Sequence, residues 1–204
     1  MKKVFIATSR KVGLKCLSWA KLHTPIGFEI TNDIAKADII ISVMYDRILK
    51  PNVVNSKLCY NFHPGILPDY KGVGIFTWVI INEEAETGVT LHLMNEGIDK
   101  GDIIQIRKFA IDQLDTAHSL FLKAEGVIFE MFRDWYFDLL QENYIATPQE
   151  ANVGKTYYRR DLKKMKNLTK FVKAFSFPNK EPAFFYDEKA EKVSLNYKIR
   201  NTKE

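Results

Sequence analysis

The chain has 204 residues, of which 46% are hydrophobic and 13% aromatic, enough to bury the core of one ordinary domain, and this composition excludes a disordered or fibrous protein. Its formal net charge of +5 is typical of a solvated surface, and an anionic small molecule is the next partner to consider. A nucleic-acid partner is not expected, because the one basic stretch, residues 159–170, also carries hydrophobic residues at helical spacing.

The cysteines and the N-terminus indicate a cytoplasmic protein. Cys16 and Cys59 have neither metal-ligand spacing nor the pattern of a disulfide framework, which suits a reducing compartment. The apolar run after the first lysines is too short for a secretion signal, and no stretch approaches the roughly 18 apolar residues of a membrane span. We therefore expect no association with a membrane.

The first part of the chain alternates predicted strands and helices. A buried strand is predicted at residues 4–8, and a helical pattern follows until Pro25. Residues 28–30 predict a short strand or an irregular crossing, and residues 39–43 predict a second buried strand. This order predicts a right-handed βαβ unit in a mostly parallel sheet. The segment between the two buried strands is short, which suggests that part of a full dinucleotide-type fold is missing.

Later segments continue the α/β pattern and close with a hairpin. Residues 87–94 alternate apolar and other side chains, which predicts a strand with one buried and one mixed face. The other predicted elements are a short helix beginning at Pro51, a strand at 58–62, a helix at 75–82, a strand at 103–111, a helix from a cap at Asp115 or Thr116 to about Leu140, and a β-hairpin across 183–199.

Three polar side chains suggest chemistry in the stretch 59–102. Asn61 and His63 lie at the carboxyl end of the third predicted strand, where open α/β sheets bind ligands, and Asp99 follows in a loop bounded by glycines. A carboxamide, an imidazole and a carboxylate suit the attack of an amine on a carbonyl carbon. Asn can donate to the oxyanion, His can donate or accept a proton, and Asp can orient the His. The residues alone leave a structural turn as the alternative.

The other histidines are expected to be structural. His23 and His118 lie at predicted helix ends, and His92 is expected to be a packing residue on a strand. No Ser occurs in a G-x-S-x-G setting and no catalytic Cys arrangement is present, which favours direct transfer over a covalent intermediate.

Two segments, NFHPGILPDYKG and TGVTLHLMNEGIDKGDII, resemble the N10-formyltetrahydrofolate-dependent formyltransferase family. That family has a catalytic triad made of an Asn-x-His pair and a later Asp in a G-[LI]-D-x-G loop. The matching residues here are Asn61, His63 and Asp99, since Asp99 rather than Asp102 is in register with the motif. The resemblance implies a Rossmann-like formyltransferase fold that passes a formyl group directly from the folate nitrogen to an acceptor amine, without a metal.

The resemblance also implies a binding site for N10-formyltetrahydrofolate. The segment YDRILKPNVV resembles the family's folate-binding segment, and the loop 96–99 would close the other side of the pocket. The implied contact residues are Arg47, Ile48 and Leu49 through their backbones, Val53 and Val54 as the pocket wall, and Glu96, Gly97 and Ile98 in the loop.

The tail resembles sugar N-formyltransferases, which modify nucleotide-linked amino sugars such as dTDP-4-amino-4,6-dideoxyglucose. We expect a catalytic domain at 1–154 and a C-terminal extension with a helix and the hairpin at 155–204. Tyr70 and Lys71, after the catalytic strand, and Tyr157, in the tail, are the predicted substrate contacts.

Other acceptors fit the resemblance less well. We do not expect the RNA-binding β-barrel of methionyl-transfer-RNA formyltransferase after Gly154. The phosphate loop of glycinamide ribonucleotide transformylase, Gly-Asn-Gly-Ser, is replaced here by ATSRKVG.

Two alternatives stay open: an enzyme acting on another amine such as glycinamide ribonucleotide, and a folate- or sugar-nucleotide-binding homologue with weak catalysis. The second is motivated by the early position of Asn61, which the family usually places much further along the chain. The edge strand of the hairpin favours a homodimer.

Overall fold

A computed structural model describes residues 1–158, residues 172 and 174, and the backbone of 183–186 and 192–195. Its main element is a six-stranded sheet. In chain order the elements are β1 (Lys2–Thr8), α1 (Lys11–His23), β2 (Phe28–Ile30), a 3₁₀ turn (Ile34–Lys36), β3 (Ile39–Val43), α2 (Pro51–Ser56), β4 (Leu58–His63), β5 (Tyr70–Gly72), α3 (Ile75–Ile81), β6 (Glu86–Leu93), β7 (Ile103–Ala110), α4 (Ala117–Gln141), β8 (Lys155–Tyr157), β9 (Ala183–Tyr186) and β10 (Lys192–Leu195).

The central sheet is mostly parallel. Its strands lie in the order β2-β1-β3-β4-β6-β7. The pairs formed by β1 with β2, β1 with β3 and β3 with β4 are parallel, whereas β6 runs antiparallel to both β4 and β7. Every residue of β3 is buried, as expected for a continuous apolar strand covered on both faces. The predicted Rossmann-like α/β fold with helices flanking the sheet is confirmed.

The long helix α4 carries much of the core. Thr116 begins it with a capping box, in which its side chain accepts from the backbone of Ser119 while Ser119 caps Thr116 in return. α4 packs against α1, where Trp19 meets the rings of Phe132 and Tyr136 edge to face. Among the described residues, no helix combines the length and the apolar character that crossing a bilayer requires.

The first half of the fold is short, as predicted. β2 has three residues and pairs with the beginning of β1 at the edge of the sheet. Between β2 and β3 the chain makes only the 3₁₀ turn, which Asp33 caps by accepting from the backbone N–H of Ala35. A turn therefore stands where a crossover helix would otherwise connect two strands.

The expectation of a mixed face on β6 is corrected by the structure, because Thr87 to His92 are all buried. The polar face of this strand meets the loop after β4 instead of solvent. The Thr90 hydroxyl donates to the carbonyl of Gly65 at 2.6 Å and accepts from the N–H of Leu67 at 3.1 Å. Alternating polarity therefore marks a polar interior contact here.

Two small sheets accompany the central one. β5 pairs in parallel with β8, and β9 pairs antiparallel with β10, which confirms the strands of the predicted hairpin. The first pairing ties residues 155–157 to residues 70–72, on the other side of the predicted domain boundary at 154. That boundary stays a prediction. The predicted helix at 159–170 and the hairpin turn lie outside the described residues.

Thr116→Ala should reduce the free energy of unfolding by about 1 kcal/mol, because the substitution removes the side-chain half of the capping box. Urea denaturation of the two proteins measures the difference. Thr147→Ala, at an exposed position, is the matched control and should change stability by less than about 0.5 kcal/mol. Equal effects of the two substitutions would contradict the role of the cap.

Candidate active site

Asn61 and His63 lie on one face of β4, at its carboxyl end, because they are two residues apart in a strand. The antiparallel register with β6 sets His92 opposite Asn61 and Thr90 opposite His63. Opposed side chains in a sheet lie about 5 Å apart at their Cβ atoms. The register therefore brings a second imidazole beside Asn61.

Asp99 comes from the loop between β6 and β7. Its φ is +52°, in the left-handed region that a residue with a Cβ atom seldom adopts. The next turn is tight, since a Cβ atom added to Gly101 would lie 1.8 Å from the carbonyl oxygen of Leu93. Asp102, in contrast, pairs with Leu93 through its own carbonyl, just before β7 begins. This geometry turns the Asp99 carboxylate back over β4.

The Asp99 carboxylate is where the predicted triad meets. Its Oδ2 accepts from the N–H of Gly72 at 2.8 Å and lies 3.4 Å from Nδ1 of His63. Its Oδ1 lies 3.5 Å from Nδ2 of Asn61 and 3.7 Å from Nε2 of His92. The structure thus brings Asn61, His63 and Asp99 together, and it adds His92 and a main-chain N–H.

Donors around Asp99 keep its carboxyl ionised. Burial by itself would raise the pKa of this group. At the low pH where this carboxyl titrates, His63 is protonated. Its positive charge, the neighbouring His92 ring and the N–H of Gly72 more than offset burial and hold the pKa of Asp99 well below its usual range. The site therefore contains a largely buried negative charge at neutral pH.

His63 has both ring nitrogens against oxygen atoms of the protein. Nε2 lies 2.6 Å from the carbonyl oxygen of Tyr70, and because a carbonyl only accepts, Nε2 must carry a hydrogen. Burial lowers the pKa of His63 below its ordinary value, although Asp99 raises it. The neutral ring then presents the lone pair of Nδ1 to Asp99, which leaves room for one proton between imidazole and carboxylate.

His92 is a site residue that sequence reasoning missed. Its ring is only 2% exposed, as a packing residue would be, but Nδ1 lies 2.6 Å from the carbonyl oxygen of Leu93 and must donate to it. In the neutral ring Nε2 is then an acceptor, and it takes an N–H of the Asn61 amide at 3.1 Å. His92 therefore orients the Asn61 carboxamide. The signal was the strand register, which sequence alone does not supply.

The predicted folate segment and its closing loop lie side by side. Arg47 and Ile48 are exposed in the chain between β3 and α2, and Ile48 is 84% exposed. The side chain of Asn55 in α2 donates to Glu96 at 2.6 Å and so joins the two segments. Gly97 donates from its backbone to the side chain of Asn95 at 2.9 Å.

An apolar surface continues beneath these segments. Leu49, Val53 and Val54 pack on a small cluster that includes Cys59, whose expected burial is confirmed. Ile98, on the opposing loop, is 41% exposed. Half-buried and exposed aliphatic side chains on two neighbouring segments suit a flat aromatic ligand.

The residues predicted to touch the substrate are interior. Tyr70 and Lys71 were expected in a loop facing the acceptor, but pairing of β5 with β8 makes them a buried strand. The Tyr70 ring stacks on Tyr157 with centroids 5.0 Å apart, and Asn82 donates to both hydroxyls. The Lys71 ammonium donates to the carbonyl of Val153 at 2.6 Å. These side chains support the site from behind.

Comparison with known proteins identifies a formyl transferase domain in this chain. Residues 29–127 match the family model of that description. It is 30% identical over 149 residues to a methionyl-tRNA formyltransferase of Sulfurimonas denitrificans, covering 73% of this chain and 48% of the relative. It is 31% identical over 166 residues to a GDP-perosamine N-formyltransferase of Brucella melitensis, covering 72% of this chain and 60% of the relative. The chain thus spans about half of these curated relatives.

Solved structures share the fold. A sugar N-formyltransferase from Shewanella sp. FDAARGOS_354 superposes with a TM-score of 0.83 and 20% identity, covering 97% of each chain. An N-formyltransferase from Helicobacter canadensis, in complex with folinic acid and dTDP-3-aminofucose, has a TM-score of 0.74 and 22% identity, covering 92% of this chain and 89% of its own. Because the sequence identities are only 20% and 22%, these similarities establish the fold alone.

We expect His63 to titrate below the ordinary histidine pKa of about 6.5, because burial disfavours the imidazolium. Asp99→Asn should lower that pKa further, since the carboxylate raises it. NMR of the histidine ring signals across pH measures both values, with His63→Gln to assign the signal. Because the folded-state pKa lies below the unfolded one, the contribution of His63 to the free energy of unfolding should fall as pH drops below about 6.5. An unchanged or raised His63 pKa in Asp99→Asn would contradict the pairing.

Proposed function

We propose that this protein is a sugar N-formyltransferase, which transfers the formyl group of N10-formyltetrahydrofolate to the amino group of a nucleotide-linked amino sugar. The observation that carries the proposal is the meeting of Asn61, His63 and Asp99 at the carboxyl end of β4. The formyl transferase domain and the sugar N-formyltransferase neighbours support it.

We assign the donor site to the two neighbouring segments. Arg47, Ile48 and Leu49 would contact the pterin through their backbones. Val53 and Val54 would form the wall, and Glu96, Gly97 and Ile98 the opposite side. The hydrogen bond between Asn55 and Glu96 supports this arrangement, because it holds α2 beside the loop that contains Glu96. The folinic acid in the Helicobacter canadensis structure supports a folate donor.

Asn61 acts on the formyl oxygen in this proposal. As the deprotonated amine attacks the formyl carbon, negative charge develops on that oxygen, the new C–N bond forms and the bond from carbon to folate nitrogen breaks. One N–H of the Asn61 amide is held by His92, whereas its contact with Asp99 is long at 3.5 Å. The second N–H of the amide, which faces Asp99, can donate to the oxyanion instead. A donor held in a fixed position is most valuable there.

Asp99 and His63 act on the proton that the amine loses. The ionised Asp99 carboxylate accepts it, and the Nδ1 lone pair of His63, 3.4 Å away, can take it on. The resulting imidazolium is paired with the carboxylate, which offsets its burial. The folate nitrogen takes up one proton when it leaves. His63 is 3% exposed, so it serves the reaction through Asp99 in place of direct contact with the oxyanion.

For the acceptor we propose the 4-amino group of a dTDP-linked dideoxy sugar, of the dTDP-4-amino-4,6-dideoxyglucose type. The dTDP-sugar in the Helicobacter canadensis structure supports the nucleotide, and the GDP-perosamine relative marks the main competitor. The net charge of +5 suits a pyrophosphate-linked substrate. Two buried free cysteines suit a cytoplasmic setting, and we propose a homodimer.

Purified protein supplied with N10-formyltetrahydrofolate should formylate a dTDP-linked 4-amino sugar. Release of tetrahydrofolate and the mass of the sugar product measure the reaction. GDP-perosamine, UDP-linked amino sugars, glycinamide ribonucleotide and methionyl-tRNA form the comparison panel, ranked by kcat/KM. A higher kcat/KM for glycinamide ribonucleotide or methionyl-tRNA would overturn the sugar assignment, while a higher value for GDP-perosamine would change only the nucleotide.

Asn61→Ala should reduce kcat by about 10²–10³-fold and leave both KM values nearly unchanged, because an oxyanion donor acts in the transition state. Steady-state kinetics measures the split. Asn143→Ala, which removes an exposed amide that contacts Asp138, is the matched control and should be unaffected. If the wild-type protein binds folate and nucleotide sugar without turnover, the protein is a binding homologue and the proposal of an enzyme is wrong.

A further inference from the structure

Gln149 contacts the main chain of the Asp99 loop from a distant part of the sequence. It follows α4 and precedes β8, and its amide nitrogen donates to the carbonyl oxygen of Asp99 at 2.9 Å and to that of Gly101 at 2.7 Å. These two carbonyls lie on either side of Lys100. One side chain therefore bridges the turn that presents the catalytic carboxylate.

The orientation of the Gln149 amide follows from its surroundings. A group between two carbonyl oxygens must donate twice, and only the NH₂ end of a carboxamide can do so. The opposite end, Oε1, is buried and has no partner among the described residues. The side chain therefore acts on the loop through the two hydrogen bonds that it donates.

The bridged turn is one that needs support. Asp99 has a left-handed backbone, and Gly101 approaches the carbonyl of Leu93 too closely to carry a side chain. A shift in either residue would move the carboxylate away from His63 and from the N–H of Gly72. Both contacts are ones on which the ionised state of Asp99 depends.

Residues beyond Gln149 hold the other side of the same carboxylate. Lys155 donates from its backbone to the carbonyl of Asp69 at 3.2 Å, and Val73 donates to the carbonyl of Tyr157 at 3.0 Å. These bonds fix the strand that contains Gly72. The segment 149–157 thus secures the Asp99 main chain at one end and its hydrogen-bond donor at the other.

We propose that Gln149 is a positioning residue for catalysis, which holds the Asp99 carboxylate in register with His63 and Asn61. The inference rests on the proposed formyl transfer for its kinetic consequence, but the pairing of Asp99 with His63 exists without any substrate. The segment after α4 would then have a role in catalysis, in addition to any role in selecting the acceptor.

Gln149→Met removes both donors and keeps the shape of the side chain. We expect kcat to fall by at least about tenfold with both KM values within about twofold, because misplacement of a reacting group lowers the rate of the chemical step. In the free protein the His63 titration should move to lower pH, since Asp99 raises the pKa of His63. Gln149→Glu should be more severe, because it sets a carboxylate oxygen against two carbonyl oxygens.

Gln105→Met is the matched control, since the Gln105 amide also donates to a main-chain carbonyl, that of Ile106, at 2.9 Å. It should leave both kcat and the His63 titration unchanged. If Gln149→Met matches this control in both measurements, the proposal is overturned; if it does not fold, Gln149→Glu takes its place in the same comparison. A wild-type protein without formyl transfer would defeat the proposed function, while the His63 titration would still decide whether Gln149 positions Asp99.

Discussion

The buried charge of Asp99 is the constraint on which the site depends. A carboxylate removed from water needs donors, and this one draws them from Asn61 on β4 and from the main chain of Gly72 on β5. Each donor belongs to a segment with its own reason to be rigid: Asn61 lies inside the central sheet, and Gly72 is held by strand pairing with β8. The rigid segments that supply these donors therefore hold the Asp99 carboxylate in a single position.

The antiparallel strand β6 makes this arrangement possible. Because β6 runs against β4, it ends beside Tyr60, and the loop that follows must fold back to reach the carboxyl end of β4. The left-handed turn at Asp99 accomplishes this reversal. The same antiparallel pairing sets His92 against Asn61. In a fully parallel sheet the next strand would end beside the carboxyl end of β4, and no such reversal would be needed.

The chemistry divides between groups that can reach a ligand and groups that stay inside. Asn61 and Asp99 are half-buried and can meet a substrate, whereas His63 and His92 are almost fully buried and act on them from behind. A triad identified by residue type therefore does not show which of its members can contact a substrate. An imidazole with both nitrogens occupied can shift a proton or orient a neighbour, but it has no free edge for the substrate.

Much of the fold was predictable because its signals are local. Apolar runs placed the strands β1, β3 and β4, and a Thr before a long amphipathic stretch placed the start of α4. A mostly parallel α/β sheet followed from their order, and the family resemblance implied the Rossmann-like class. Asn61, His63 and Asp99 suit amine attack by their residue types, but the residues alone left a structural turn as the alternative. The family resemblance singled out these three, with Asp99 in place of Asp102.

The positions of His92, Tyr70 and Lys71 were decided by the tertiary structure. Whether His92 meets Asn61 depends on strand register, and whether Tyr70 and Lys71 are exposed depends on β8, which pairs with them from more than 80 residues away in the chain. Such long-range pairings leave no local pattern. The sequence by itself thus determined which residues are candidates for the chemistry, and the tertiary structure decided which of them are accessible and which are buried behind the others, because burial depends on long-range strand pairing.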